Sequence, residues 1–332
     1  MTAPRKRLRV ALPWTGVVPV RESSGPARLP AAEWLLARAQ RASTDRPWRE
    51  WLLADATEDA GLLERFPAGP CLVAAWTGRP PVGRWACAAP VHLLTALDHL
   101  RLAAPVPLPL EPEESAALVA DLNSQLAHRG FELEDIAGRG WLCRCPDDFD
   151  CHAVEPTQAI GGNLRELMPT GRDAARVRAW VNEAQMVLHE HPVNLRRGER
   201  GLPAVNSVWP WGFGSAGAVQ PPPEGVLLTD DDWLTGLARL LGAEPGTPAG
   251  FAAALAGESP MIRLGLAIAT PSDGASALSA LERDVFAPAR AALASGTLHE
   301  ASFLLGTATF EVTARARWQF WRRSRPLGEV LR

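Results

Sequence analysis

A chain of 332 residues, 47% apolar and 21% charged, can bury a substantial core, which excludes wholesale disorder. Its net charge of −3 gives no general attraction to nucleic acid or to an anionic membrane surface. No apolar run approaches the ~20 residues of a membrane-spanning helix, and five Cys without a paired spacing point to a reducing cytoplasm.

The chain begins with a basic head and an apolar stretch that Pro13 and Pro19 interrupt, so residues 8–12 read as a buried first strand, not a signal peptide. Helices are expected over 31–42 and 48–56. CLVAAW at 71–76 is a continuous apolar run suited to a strand covered on both faces. Short strands follow at 84–89 and 99–102. A helix over 111–128 carries acidic residues in its first turn and Gly130 as its stop. Residues 131–136 and 139–145 read as a hairpin, which completes a β-β-α-β-β unit.

The clearest helix runs over 172–189, with Val177, Trp180, Ala184 and Leu188 on one apolar stripe and Arg178, Asn182, Gln185 and His189 on a polar one. Pro192 cannot continue that helix and pushes His191 into extended geometry. Beyond residue 206 strands alternate with helices again. Strands are expected at 207–211, 226–228, 262–269, 301–305 and 310–315, with Pro210 placing the first of these near an edge. Helices are expected from a cap at Thr229 or Asp230 to Leu241, over 248–256, and over 276–294. The pattern predicts an α/β layered domain built from residues 1–80 and 205–332, with a smaller α+β domain, 81–204, inserted.

Three constellations invite a chemical reading. GFGSAG at 212–217 has the glycine spacing of a dinucleotide loop, but the three prolines at 221–223 forbid the helix such a loop needs. Cys143, Cys145, Cys151 and His152 do not have the usual spacing of a zinc site, and Cys143 and Cys145 share a strand face with Trp141, as core thiols do. The segment 182–214 is denser. It holds His189, His191, Asn194, Arg196, Arg197, Arg200 and Asn206 around a basic, glycine-bearing turn. Forked arginines and amides in such a turn suit a phosphate or carboxylate; a solvated turn is the plainer alternative. The basic ends, with WQFWRRSRP at 318–326, fit strand ends with stacked Arg and Trp better than nucleic-acid contacts.

HPVN at 191–194, GLPAVN at 201–206 and the strand ending in Gly212 and Gly214 resemble a motif of the archaeal-type cofactor-independent phosphoglycerate mutases, of the alkaline phosphatase superfamily. LTGLARLLGAEPG at 234–246, RLGLAIAT at 263–270 and ALERDV at 280–285 extend the resemblance through the C-terminal half. The whole chain further resembles a bacterial family labelled regulatory protein, RpfE type. PVHL at 90–93 with Asp98, the WxWGxG strand end at 209–214, LERDVFAP at 281–288 and FWRR at 320–323 carry that likeness.

The resemblance implies an alkaline-phosphatase-like layered sheet and, for the mutases, two-metal phosphoryl transfer with a Ser nucleophile and many Asp and His ligands. Here the first strand runs into PWTG, only Asp273 of PSDGAS at 271–276 matches the family's metal loop, and no late Asp-His pair is present. The expectation is therefore a catalytically disarmed relative, its catalytic residues unassigned, that holds no metal or other cofactor. It would bind an anionic metabolite or a protein partner through the seven residues named above, and neither nucleic acid nor membrane. An active mutase or phosphotransferase with a rearranged site is the alternative.

Overall fold

The computed structural model describes residues 5–13, 28–54, 61–95, 100–103, 105–160, 162–217, 224–267, 274–319 and 321–324. In chain order they form β1 (Arg7–Leu12), α1 (Pro30–Arg38), β2 (Gln40–Ser43), α2 (Trp48–Leu53), α3 (Leu62–Arg65), α4 (Ala68–Thr77), β3 (Arg84–Val91), β4 (Leu93–Thr95), β5 (Leu100–Leu102), α5 (Pro112–Leu126), β6 (Glu132–Ile136) and β7 (Gly140–Cys145). There follow α6 (Pro156–Ala159), α7 (Ala174–Leu188), α8 (Pro192–Glu199), β8 (Ser207–Gly214), β9 (Val226–Thr229), α9 (Asp232–Leu240), α10 (Phe251–Ala256), β10 (Met261–Gly265), α11 (Gly274–Leu281), α12 (Ala287–Ser295), β11 (Glu300–Leu305) and β12 (Ala308–Thr313). Among the described residues no helix is long and apolar enough to cross a membrane.

The chain divides into two compact units, Met1–Leu62 with Pro221–Arg332, and Leu63–Gln220. The joints fall away from the expected 80/81 and 204/205, so α4 and β8 belong to the middle unit instead of the outer one.

The first unit is built on a six-stranded sheet in the order β2-β12-β11-β1-β10-β9. β11, β1, β10 and β9 run parallel, and β12 and β2 add antiparallel. Alternation along the strands sends Leu8, Val10, Ile262, Leu264, Phe303, Phe310 and Val312 to one face. There they are buried with residues of α1, α10, α11 and α12. On the opposite face Arg9, Arg263 and Ser302 lie in register, beside α2, whose Trp51 carbonyl accepts from Arg9. The expected helix over 31–42 ends at Arg38. The next four residues after Ala39 form β2 because β12 offers a ladder edge that local propensity does not reveal.

The second unit carries a four-stranded antiparallel sheet, β6-β7-β3-β8, and a two-stranded ribbon, β4-β5. α5 and α7 pack on it through Leu118, Leu122, Val177, Trp180 and Ala184, against Ala86, Ala88, Trp141 and Cys143. β8 is an edge strand, where Pro210 removes no needed donor. CLVAAW is not a strand. It lies within α4, which Gly78 closes at φ 69. Apolar on every side, the run shows no period that distinguishes a buried helix from a buried strand. Gly69 of α4 brings the helix so near β3 that a Cβ there would sit 2.4 Å from the Trp85 carbonyl oxygen.

Candidate functional site

The expected ligand-binding turn is a helix. Pro192 cannot extend α7, but as the first residue of α8 its missing N–H is not missed. Glu190, at φ 58, turns the chain between the two helices. His191 caps α8: its Nδ1 accepts from the Val193 N–H at 3.1 Å, which leaves the ring proton on Nε2, 2.9 Å from Asp121 Oδ2.

Asn194 is buried, and its amide is fully engaged by backbone. Nδ2 donates to the Leu188 and Val205 carbonyls, and Oδ1 accepts from the Val205 N–H, each at 2.8 Å. Arg197 is 3% exposed; Nε donates to the Pro203 carbonyl at 2.9 Å and Nη1 to Glu114 at 2.5 Å. Arg200 reaches the other oxygen of the same carboxylate at 3.3 Å. Glu114 also closes the capping box with Glu111 at the start of α5, so one carboxylate ties α8 to α5. Asn206 bonds the N–H and carbonyl of Leu93 at 2.7 and 2.9 Å, as a paired strand residue would.

Of the seven expected residues, Arg197 and Arg200 meet on Glu114, and His191 and Asn194 pin the first turn of α8. Asn206 joins the chain to Leu93. His189 and Arg196 are exposed, His189 with Glu190 at 3.9 Å. Asp98, His99, Asp273 and Phe320 lie outside the described residues.

In parallel α/β sheets ligands gather beyond the carboxyl ends of the strands. In the first unit that edge holds Asp230 and Asp231, just after β9. The Thr229 hydroxyl donates to the Gly265 carbonyl at 2.7 Å and accepts from the Asp231 N–H at 3.0 Å. Asp231 caps α9 through the Leu234 N–H at 2.8 Å, the cap expected one or two residues earlier. Its carboxylate also receives a two-pronged bond from Arg49 of α2, Nε to Oδ1 at 3.1 Å and Nη2 to Oδ2 at 2.7 Å. The Arg49 guanidinium lies 5.0 Å from the Trp48 ring and 5.7 Å from the Trp233 ring. Asp230 accepts from the Ala267 N–H at 2.6 Å. Burial, with Asp231 and Asp232 nearby, raises its pKa above the ordinary carboxylate value despite that bond. Nothing in the sequence marks Arg49 as the partner of Asp231, since the TDDDW run at 229–233 signals only a cap.

These residues do not suit a pair of divalent ions. The one His in the first unit, His299, is at the other edge, its N–H bonded to the Lys6 carbonyl ahead of β1 and β11. Asp231 already holds a guanidinium. Among the described residues no three or more His, Cys, Asp or Glu are placed to hold a metal. In the second unit Cys143, Cys145 and Cys151 are buried free thiols, whereas His152 faces solvent. The Cys145 hydrogen bond and then burial hold the Cys143 thiol well above its ordinary value, and burial pushes Cys151 up to about 12.

No family model matches the sequence. The 2,3-bisphosphoglycerate-independent phosphoglycerate mutase of Methanosarcina barkeri is 27% identical over 142 residues, 41% of this chain and 36% of that protein. A probable enzyme of the same name from Geobacter sulfurreducens is 40% identical over 63 residues, 19% of this chain and 16% of that one. The chain thus spans little more than a third of the length of the first relative. Among solved structures, the PH0037 protein from Pyrococcus horikoshii superposes with a TM-score of 0.52 at 16% identity, over 94% of this chain and 88% of that chain. The chain is homologous to cofactor-independent phosphoglycerate mutases, and its layered α/β architecture is alkaline-phosphatase-like.

Proposed function

We propose that this chain is a regulatory, non-catalytic relative of the phosphoglycerate mutases that binds an anionic metabolite or a protein partner. The observation that carries the reading is Arg49 seated on Asp231 at the carboxyl edge of the parallel strands. A guanidinium there supplies to the carboxylate the positive charge that a metal ion would otherwise bring. It carries one charge, has no open coordination position and cannot lower the pKa of a bound water. The regulatory role, the RpfE-type label and a bacterial origin belong to the same reading and rest on the motifs quoted above, and a cytoplasmic setting rests on the cysteine usage.

The small molecule in this reading is a phosphorylated or carboxylate compound. Arg196 and Arg200, one turn apart, offer it two guanidinium groups, with His189 nearby in sequence. His191, Asn194 and Arg197 anchor α8 through the bonds described, and Asn206 ties the segment that follows to Leu93.

Thermal-shift titration with phosphorylated three-carbon acids, with and without Mn2+, tests the proposal. The expected result is a metal-independent rise in Tm with no turnover, abolished in the Arg196→Ala/Arg200→Ala double variant. Mutase turnover that a chelator removes would overturn it.

A further inference from the structure

Three arginines of the first unit, Arg38, Arg290 and Arg322, gather around Trp34 of α1. The guanidinium of Arg38, on the same helix, lies over the Trp34 ring at 4.6 Å from its centre, and that of Arg290, from α12, lies over the same ring at 5.3 Å. Arg322 approaches the end of α1, with Nη1 at 3.4 Å from the Ala37 carbonyl and 3.5 Å from the Ala39 carbonyl. The place is the amino edge of the parallel strands. β12 ends at Thr313 opposite Glu300, the first residue of β11, and β2 starts opposite Glu311 just after α1. Arg49 and Asp231 occupy the other edge.

Helix chemistry accounts for two of these cations. The last carbonyls of a helix lack an intrahelical donor and favour a positive charge, which Arg322 brings. Arg38 turns back onto its own helix, with Nη1 at 3.3 Å from the Trp34 carbonyl. Arg290 is exposed and serves no carbonyl and no carboxylate among the described residues. None of the three makes an ion pair with a carboxylate among those residues. Burial, and then the charges of Arg290 and Arg322, lower the Arg38 pKa below the ordinary arginine value. Like charges held together without a counter-charge cost the folded state free energy, and a bound anion removes that cost.

The number of guanidinium groups sets the kind of anion. A carboxylate brings a single charge and a pair of oxygens, which one arginine fork fills. Three forks on one small patch call for more oxygens and more charge in a compact group. We propose that Arg38, Arg290 and Arg322 bind a diphosphate group, either free or carried by a larger molecule. Arg196 and Arg200 of the anion-binding reading belong to the second unit, so either proposal stands without the other.

Isothermal titration of the full chain in metal-free, low-salt buffer tests it, on the Arg196→Ala/Arg200→Ala background so that those two arginines contribute nothing. Diphosphate should bind at least tenfold more tightly than orthophosphate, and added NaCl should weaken it. Arg290→Gln removes one charge from an exposed helix position. It should weaken diphosphate binding by roughly tenfold or more while Tm stays close to that of the parent. ADP distinguishes the two sources: tighter binding than diphosphate assigns the group to a nucleotide, and weaker binding assigns it to the free anion. Equal affinity for orthophosphate and diphosphate overturns the proposal, as does no binding of diphosphate at millimolar concentration. Unchanged diphosphate affinity in Arg290→Gln overturns it too. So does a single-stranded oligonucleotide that binds and that diphosphate does not displace.

Discussion

Asn194→Asp separates a structural lock from a ligand contact by the exchange of one group. The variant keeps the oxygen that accepts from the Val205 N–H. It replaces the amide nitrogen, which in the parent serves the Leu188 and Val205 carbonyls at 2.8 Å each, with an oxygen. Two buried acceptors lose their donor, at about 1–3 kcal/mol each. A carboxylate oxygen must then face both carbonyls, so the total is about 2–6 kcal/mol, toward the upper end at neutral pH. Acidification that protonates the introduced carboxylate restores one donor and part of the loss. Urea unfolding gives the global effect, and hydrogen exchange at the Val205 amide gives the local one, which matters because two units need not unfold in one step. The lock is refuted if stability stays within about 0.5 kcal/mol of the parent and only anion binding is lost.

Three further outcomes follow from burial and close approach. Because the folded state favours the neutral Cys151 thiol, the stability it contributes is complete below the ordinary value of 9.0 and is lost as pH rises toward about 12. At pH 8 iodoacetamide should label native Cys151 far more slowly than the urea-unfolded chain; equal rates would contradict the burial. Gly69→Ala should cost about 3 kcal/mol or more, since its Cβ meets backbone of β3. Gly198→Ala, with nothing within 4 Å, should instead stabilise α8 by about 0.5–1 kcal/mol in the same denaturation assay.

The elements that sequence alone makes legible are those with a period or a cap. α7 shows its stripe at Val177, Trp180, Ala184 and Leu188, and all four are buried. β6 and β7 flank the expected turn. α4 is illegible because burial on every side erases periodicity. α8 is illegible because Pro192 after a long helix reads as a stop, although the same residue also suits a helix start. The residues around HPVN are visible as a dense polar cluster, but their bonding partners are not. Glu114 stands 83 residues from Arg197, and Asp231 stands 182 from Arg49. Such pairings are decided by topology, and no local pattern encodes them.

The sheet order has a bearing on biosynthesis. β1 leaves the ribosome before both of the neighbours that flank it, β10 and β11, which lie beyond residue 260. The middle unit is one uninterrupted stretch and is complete long before either neighbour emerges. That strand therefore waits, with Leu8, Val10 and Leu12 lacking their flanking strands, until residues 261–305 have been made. A nascent chain paused before residue 300 is the form most in need of a chaperone.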